Sequence, residues 1–400
     1  MNAITRRLLL QSAGGCALGA VLPRIAFADA ATDSRFVLVI LRGALDGLAA
    51  VPPYGDGNYA RQRGELGITA PERKLDGMFG LHPALEHSHA RYKAGELLVL
   101  HAAATPYRER SHFDGQDLLE AGTGAVSSRD GWLNRALPAL PHTQERTTEQ
   151  LAMALAQNVP LVLRGDARVN SWAPSRMPEA DSDTLQRIAD LYSEDDYFAS
   201  RLQAALAADE VAGSGMDGMA GGRRDPGREV GAVASAAGKF LAAADGPRIA
   251  VIETGGWDTH ANQGAEQGQL ANRVRGLDQG LENLRTALGP AWRDTAVLVV
   301  TEFGRTVAVN GTRGTDHGTA TCAFLAGGAV AGGRVIADWP GLSVGALHQG
   351  RDLRSTLDLR SVMKGVLAEH LGIAESVLEE RVFPESRYAR VLDGLVKART

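Results

Sequence analysis

Short, continuous apolar runs alternate along the chain with longer stretches of mixed polarity. The runs are Phe36-Val37-Leu38-Val39-Ile40-Leu41, Leu97-Leu98-Val99-Leu100-His101-Ala102, Leu161-Val162-Leu163, Ile249-Ala250-Val251-Ile252, Ala296-Val297-Leu298-Val299-Val300 and Ala323-Phe324-Leu325. Bounded by glycine or polar turns, they read as strands buried on both faces. Helical patterns fall between them, over roughly 82–94, 112–121, 184–208, 229–244, 265–288 and 358–371. This alternation predicts an α/β fold: a mostly parallel central sheet covered by helices on both sides. Residues 213–228, rich in glycine, are the one low-complexity stretch and read as a flexible loop within a single domain over 29–400. No internal repeat is found.

The N-terminus departs from this pattern. Arg6-Arg7 leads into an apolar run through Val21, Pro23 breaks any helix, and Ala26-Phe27-Ala28 offers small residues where a signal peptidase cuts. Residues 1–28 therefore read as a secretory signal, too short to span a bilayer. The arginine pair points to the twin-arginine route, with the Tat translocase as partner during export and cleavage near Ala28. A buried N-terminal helix is one alternative. Lipidation at Cys16 is another, opposed by Ala13-Gly14-Gly15, which lacks a leucine three residues before the cysteine. A periplasmic or secreted location follows as an expectation.

Composition narrows the partners. The whole chain has 42 basic and 47 acidic residues, a net charge of −5. Removing the signal takes away three arginines and leaves −8, which argues against nucleic acid or an anionic membrane as main partner. No second apolar stretch is long enough for a transmembrane anchor. Of the 2 cysteines, only Cys322 survives cleavage, so the mature chain forms no intrachain disulfide. Its roughly 370 residues suffice for a large core without one.

In parallel sheets ligands bind beyond the carboxyl ends of the strands, so the segments beside the predicted strands carry the candidate chemistry. They are Arg42-Gly43-Ala44-Leu45-Asp46-Gly47, Pro106-Tyr107-Arg108-Glu109-Arg110-Ser111-His112-Phe113-Asp114, Gly255-Gly256-Trp257-Asp258-Thr259-His260, Thr301-Glu302-Phe303-Gly304-Arg305-Thr306 and, ahead of the sixth run, Gly314-Thr315-Asp316-His317-Gly318. Each delivers a carboxylate, an imidazole or both. In Asp258-x-His260, side chains two apart in an extended loop point the same way, so both can reach one cation. A turn-capping aspartate beside a satisfied histidine is the plainer alternative, and Asp316-His317 is equally open. Glu302 either faces a site or pairs with Arg305. Asp46 lies several residues past its strand, in a common Asp-Gly turn. Ser111 is a natural N-cap, with Asp114 placed as in a capping box. The same helix start suits an anion, with Arg108 and Arg110 nearby, and presents a hydroxyl able to act as nucleophile. The remaining histidines, at 82, 87, 89, 101, 142, 348 and 370, have no comparable companions; those over 82–89 read as surface residues, and Trp132 as core.

The strings LRGALDGL, AVPPYGD, YRERSHFDGQD, DGWLN, ETGGWDTH, VVTEFGRTVAVNGTRGTDHGTA and GGRVIADWPGL resemble the exported family called "domain of unknown function 1501", over nearly the whole mature chain. That family is placed in the alkaline phosphatase–sulfatase superfamily. The resemblance implies an alkaline-phosphatase-like three-layer α/β/α sandwich with metal ligands on loops after the strands. Asp258, His260 and His317 match one metal's Asp/His/His set, Asp46 and Glu302 the carboxylates of a second, and Ser111 the nucleophile. Two departures stand out: Phe303 occupies a position usually held by histidine, and Asp46 is displaced from its strand end. No Cys/Ser-x-Pro/Ala-x-Arg pattern for formylglycine formation is present, which argues against a standard sulfatase.

Two function classes follow. One is an exported metal-dependent hydrolase of a phosphate or sulfate ester or related anion, using zinc, calcium or manganese. It takes Asp46, Asp258, His260, Glu302, Asp316 and His317 as metal ligands, Ser111, Arg110 and Arg305 as catalytic residues, and Arg108 and His112 as substrate-binding residues. The other is a non-catalytic exported binding or assembly protein that keeps the fold.

Overall fold

A computed structural model of the chain describes residues 34–398 apart from 125, 127, 142–150, 175–181, 193 and 213–225. The expected signal over 1–28, His142 and most of the expected loop over 213–228 lie outside the described residues.

In chain order the strands are β1 (Arg35–Leu41), β2 (Arg73–Lys74), β3 (Gly80–Leu81), β4 (Leu97–Ala104), β5 (Ala152–Leu155), β6 (Asn170–Ser171), β7 (Ile249–Thr254), β8 (Thr295–Thr301), β9 (Thr321–Ala326), β10 (Arg334–Ile336) and β11 (Leu357–Asp358). β2 and β3 pair with each other, and the rest form one sheet in the order β10-β4-β9-β8-β1-β7-β5-β6, with β11 also on β4. Its pairings are parallel except those of β9, which runs antiparallel to β4 and β8. That reversal matters for the site. Segments that follow β1, β4, β7 and β8 emerge at the same rim as the segment that precedes β9, so all five candidate segments meet there.

The α-helices of four or more residues are α1 (Gly47–Ala50), α2 (Tyr59–Arg63), α3 (Glu86–Lys93), α4 (His112–Ala121), α5 (Trp132–Ala136), α6 (Ser182–Leu191), α7 (Asp196–Ala212), α8 (Pro226–Ala242), α9 (Gln269–Leu288) and α10 (Leu359–Glu369). Alternating strand residues point to opposite faces. Phe36, Leu38, Ile40, Leu298 and Val300 join one core with Trp132 of α5 and Val362 and Val366 of α10. Their neighbours Val37, Val39, Val297 and Val299 are equally buried on the other face, where α8 packs on β7, α3 on β4, and α9 on both helices. The result is a three-layer α/β/α arrangement around a mostly parallel sheet.

Three expectations are corrected. Leu161–Leu163 is a 3₁₀ turn closed by Leu163 N donating to Pro160 O (3.0 Å), because Pro160 has no N–H to give a ladder. The sheet is extended on that side by β5 and β6. The pattern over 184–208 divides into α6 and α7, since Asp195 Oδ1 caps α7 by accepting from Tyr197 N (3.0 Å) and Phe198 N (3.1 Å). And α8 begins at Pro226, inside the expected loop, with proline at a helix start where its missing N–H costs nothing.

The chain divides into two compact units, one including 180–208 and the other 27–179 with 209–400. The first contributes α6 and most of α7, with Tyr192 and Phe198 stacked at 5.3 Å. The second holds the sheet and every residue of the site.

Candidate metal centre

Three histidines converge on Asp258, and each is oriented by what holds its other ring nitrogen. His317 Nδ1 lies 2.9 Å from the carbonyl of Arg110, His260 Nδ1 lies 3.2 Å from Asp316 Oδ1, and His112 Nδ1 lies 2.7 Å from Glu302 Oε1. A carbonyl or carboxylate oxygen only accepts, so each Nδ1 carries the proton and donates it. In the neutral rings the Nε2 atoms are then bare lone pairs. Those of His260 and His317 stand 2.9 Å apart, at 3.0 and 3.2 Å from Asp258 Oδ1. His112 Nε2 lies 3.4 Å from Asp258 Oδ2 and is buried without a hydrogen-bond partner. His112, Asp258 and His317 offer ligand atoms within 4.8 Å of one another.

The backbone makes this convergence possible. Gly43, at φ 118°, brings the loop after β1 against the Asp258 loop, where a Cβ would stand 2.6 Å from Asp258 N. Gly43 N also donates to Glu302 Oε1 (2.8 Å). A Cβ on Gly314 would meet His260 O at 2.3 Å. Arg110 is left-handed (φ 63°), a conformation costly for a residue with a Cβ, and it supplies the carbonyl that holds His317.

The charges are tuned by these contacts. Burial opposes ionisation of Asp258, but the hydrogen bond and charge of Arg305 hold its carboxyl below the usual range. Burial likewise opposes ionisation of Glu302, and hydrogen bonds from His112, Gln116, backbone and Thr301 hold it low. The hydrogen bond to Glu302 raises the His112 pKa against the effect of burial. Burial lowers that of His317. The Asn310 amide, chiefly, lowers that of Asp316.

Several expected residues take other positions. Asp46 is fully buried and ion-paired with Arg63, caps α1 through Ala49 N (3.2 Å) and accepts from Gln263 Nε2 (2.7 Å). Its carboxylate braces the site instead of facing it, because Gln263 Oε1 goes on to accept from Thr259 (2.8 Å) and Thr315 (2.9 Å). Glu302 is 0% exposed, and its oxygens accept from Gly43, His112, Gln116 and Thr301. It orients His112, whereas Asp316 orients His260. Arg110 turns its guanidinium onto buried Asp352 (2.7 Å). Arg108 bonds the carbonyls of Thr105 and Tyr107. Arg305 is buried, gripping Asp258 and Thr315. All three arginines expected to act at the site are thus engaged in internal contacts.

Ser111 is the N-cap residue of α4, yet its side chain bonds no helix amide. The capping box does not form. Tyr107 Oη takes over, accepting from Ser111 N (3.0 Å) and donating to Asp114 Oδ2 (3.2 Å). Phe303 forms a floor, stacked on His112 at 5.0 Å and tilted against His317 at 5.3 Å. His82, read as a surface residue, is buried, with Nε2 2.9 Å from Ala265 O. Sequence reasoning missed the bracing residues Arg63, Gln116, Gln263 and Asn310. Only Gln116 carried a signal: it lies one helical turn after His112, on the side facing Glu302.

No curated protein matches the chain significantly in sequence. Among solved structures it is similar to Ps i-CgsB, determined in complex with k-i-k-neocarrahexaose, at 11% identity over 90% of this chain and 77% of that one, with a TM-score of 0.42. It is similar to the phosphonate monoester hydrolase of Agrobacterium radiobacter at 10% identity, over 85% and 74%, with a TM-score of 0.34. The family described as "Protein of unknown function (DUF1501)" matches residues 33–382, and the chain belongs to it.

Proposed function

We propose that this protein is an exported metal-dependent hydrolase of a phosphate or sulfate ester. The observation that carries the reading is the convergence of the bare Nε2 atoms of His260 and His317 on Asp258 Oδ1, with separations of 2.9–3.2 Å. Lone pairs so close repel one another and the carboxylate unless a cation sits among them. Arg305 is fully buried and spends its donors on Asp258 and Thr315, with no bond to either ring. His260, His317, Asp258 and His112 would hold a metal ion, and each ring already has the outer partner that metal-binding histidines use. A set of imidazoles with one carboxylate suits zinc better than calcium or manganese, which favour oxygen ligands. The resemblance of Asp258, His260 and His317 to a superfamily metal set supports the same reading.

When bound, such an ion polarises the ester oxygen and lowers the pKa of an attacking hydroxyl or water. The chain supplies the rest. Ser111, between Arg110 and His112 and with its hydroxyl released from capping, is the nucleophile we assign. The first amides of α4, left uncapped by the Ser111 side chain, and the positive end of the helix dipole suit the anionic oxygens. Phe303 excludes water beneath His112, and Glu302 keeps that ring aimed at Asp258. Export rests on the signal-like residues 1–28. Among the described residues no helix is long and apolar enough to cross a membrane.

A second reading, a non-catalytic binding or assembly protein, is favoured by the engagement of Arg108, Arg110, Arg305 and Asp46 in internal contacts. Metal analysis of natively exported protein separates the two, combined with assays on phosphate mono- and diesters and sulfate esters. The hydrolase reading expects bound metal and ester cleavage, both lost in Asp258→Asn, a variant that leaves Arg305 an acceptor. Metal-free protein, with activity unchanged in that variant, removes it.

A further inference from the structure

The helix that brings His112 to the metal centre also walls a separate cavity of about 250 Å³. Phe113, Gln116, Asp117 and Glu120 line it, and their spacing places them along one side of α4. Gln116 is a wall shared with the metal centre: its amide donates to Glu302 Oε1 (3.1 Å), and its oxygen accepts from Arg42 Nη1 (2.9 Å). The geometry points to this cavity as the site for a polyhydroxylated, sugar-like group, the alcohol part of the substrate ester. The inference rests on the hydrolase reading above.

Charge and shape both favour such a ligand. Asp117, Glu120 and Glu253 line the cavity with Arg42 and Arg164. Three carboxylates disfavour an anion there, and two guanidinium groups disfavour a cation. Arg42 is tied to Glu120 (2.8 Å) and Glu253, so most of this charge is internally compensated. What remains is a mixture of donors and acceptors, including Asn158, and hydroxyl groups can satisfy both kinds at once. Phe113, 84% exposed, is the aromatic residue that lines the cavity. Its flat ring suits the apolar face of a sugar ring. The volume is below the ~300 Å³ at which pockets begin to take drug-sized ligands, which fits a single ring. Gln116 is the link between a ring held there and the metal centre, through its bond to Glu302.

Saturation-transfer NMR on the full chain tests this without requiring turnover. The probes are the methyl glycosides of glucose, galactose and mannose, with butane-1,4-diol as an acyclic control. Transfer to at least one glycoside and none to the diol is expected, with binding about fivefold weaker in Phe113→Ala and in Glu253→Gln. Phe113 is exposed enough that its replacement should not disturb folding. No transfer to any glycoside, or transfer undiminished in both variants, overturns the inference. Cleavage of simple aryl esters without glycoside binding keeps the hydrolase reading and removes this one. Glycoside binding by a protein with neither metal nor hydrolysis keeps the sugar site and removes the hydrolase.

Discussion

Two regions of the molecule contain the same three residue types, an aspartate, an arginine and a histidine, and use them in opposite ways. Behind the rim, Asp46 pairs with fully buried Arg63. His101 lies nearby, with both ring nitrogens occupied: Nε2 by Val51 O (3.1 Å) and Nδ1 by Ala102 N (2.7 Å). Its ring stacks on Phe79 and meets Trp339 edge-on. At the rim, Asp258 pairs with Arg305, but His112, His260 and His317 each keep one nitrogen directed at the carboxylate with no complete set of partners. The difference lies in unfinished coordination. A polar group whose every valence is met by its own chain holds the fold together, while several that share one unmet valence are arranged for something from outside.

The comparison can be broken at either region. The largest effect is expected from Asp46→Ala, which leaves Arg63 buried and unpaired; urea unfolding should show a loss of about 3–5 kcal/mol. At the rim, Asp258→Asn, which keeps a hydrogen-bond acceptor for buried Arg305 and sits at a half-exposed carboxylate, should cost less stability than Asp46→Ala while lowering ester hydrolysis by about 10²–10³-fold and removing metal from the purified protein. Retained metal there would place the ion elsewhere.

Acid sharpens the contrast. Burial lowers the His101 pKa to about 4, below its value near 6.5 in an unfolded chain. The unfolded state therefore binds the proton first. The contribution is fully present above pH 6.5, declines as pH falls, and is lost below about 4, a change of up to ~3 kcal/mol. Unfolding measured across that window should show a flatter pH dependence in His101→Gln than in the unmodified chain. The smallest effect is expected from Glu302→Gln, which keeps the packing but removes the charge behind His112. Metal affinity or activity should fall about 10–100-fold, with a lower apparent pKa for His112 by NMR titration.

Much of the fold was legible in the chain. Phe36 to Leu41, Ile249 to Ile252 and Ala296 to Val300 are continuous apolar runs because the central strands are covered on both faces, and no other environment selects that pattern so directly. The edges were harder. β5 and β6 are short, and Leu161–Leu163 imitates a strand in composition while Pro160 prevents it from pairing. At the site, Asp258-x-His260 and Asp316-His317 could be picked out because loop residues close in sequence share a direction. Asp46 misled for a complementary reason: its partners Arg63 and Gln263 lie 17 and 217 residues away, and no local pattern announces either.

The sequence by itself determined the alternation of strand and helix, the family, and which segments carry carboxylates and imidazoles. Periodicity and residue chemistry are local properties, written in neighbours along the chain. Only the tertiary structure decided which of those groups remain open. Whether Glu302 binds an ion or orients His112, whether an arginine is free or engaged, and which nitrogen of His317 is bare depend on partners brought together by the reversed strand β9 and the turns at Gly43 and Arg110. Such pairings arise from close packing across long sequence separations, and they alone divide the aspartate that braces the fold from the one on which three histidines converge.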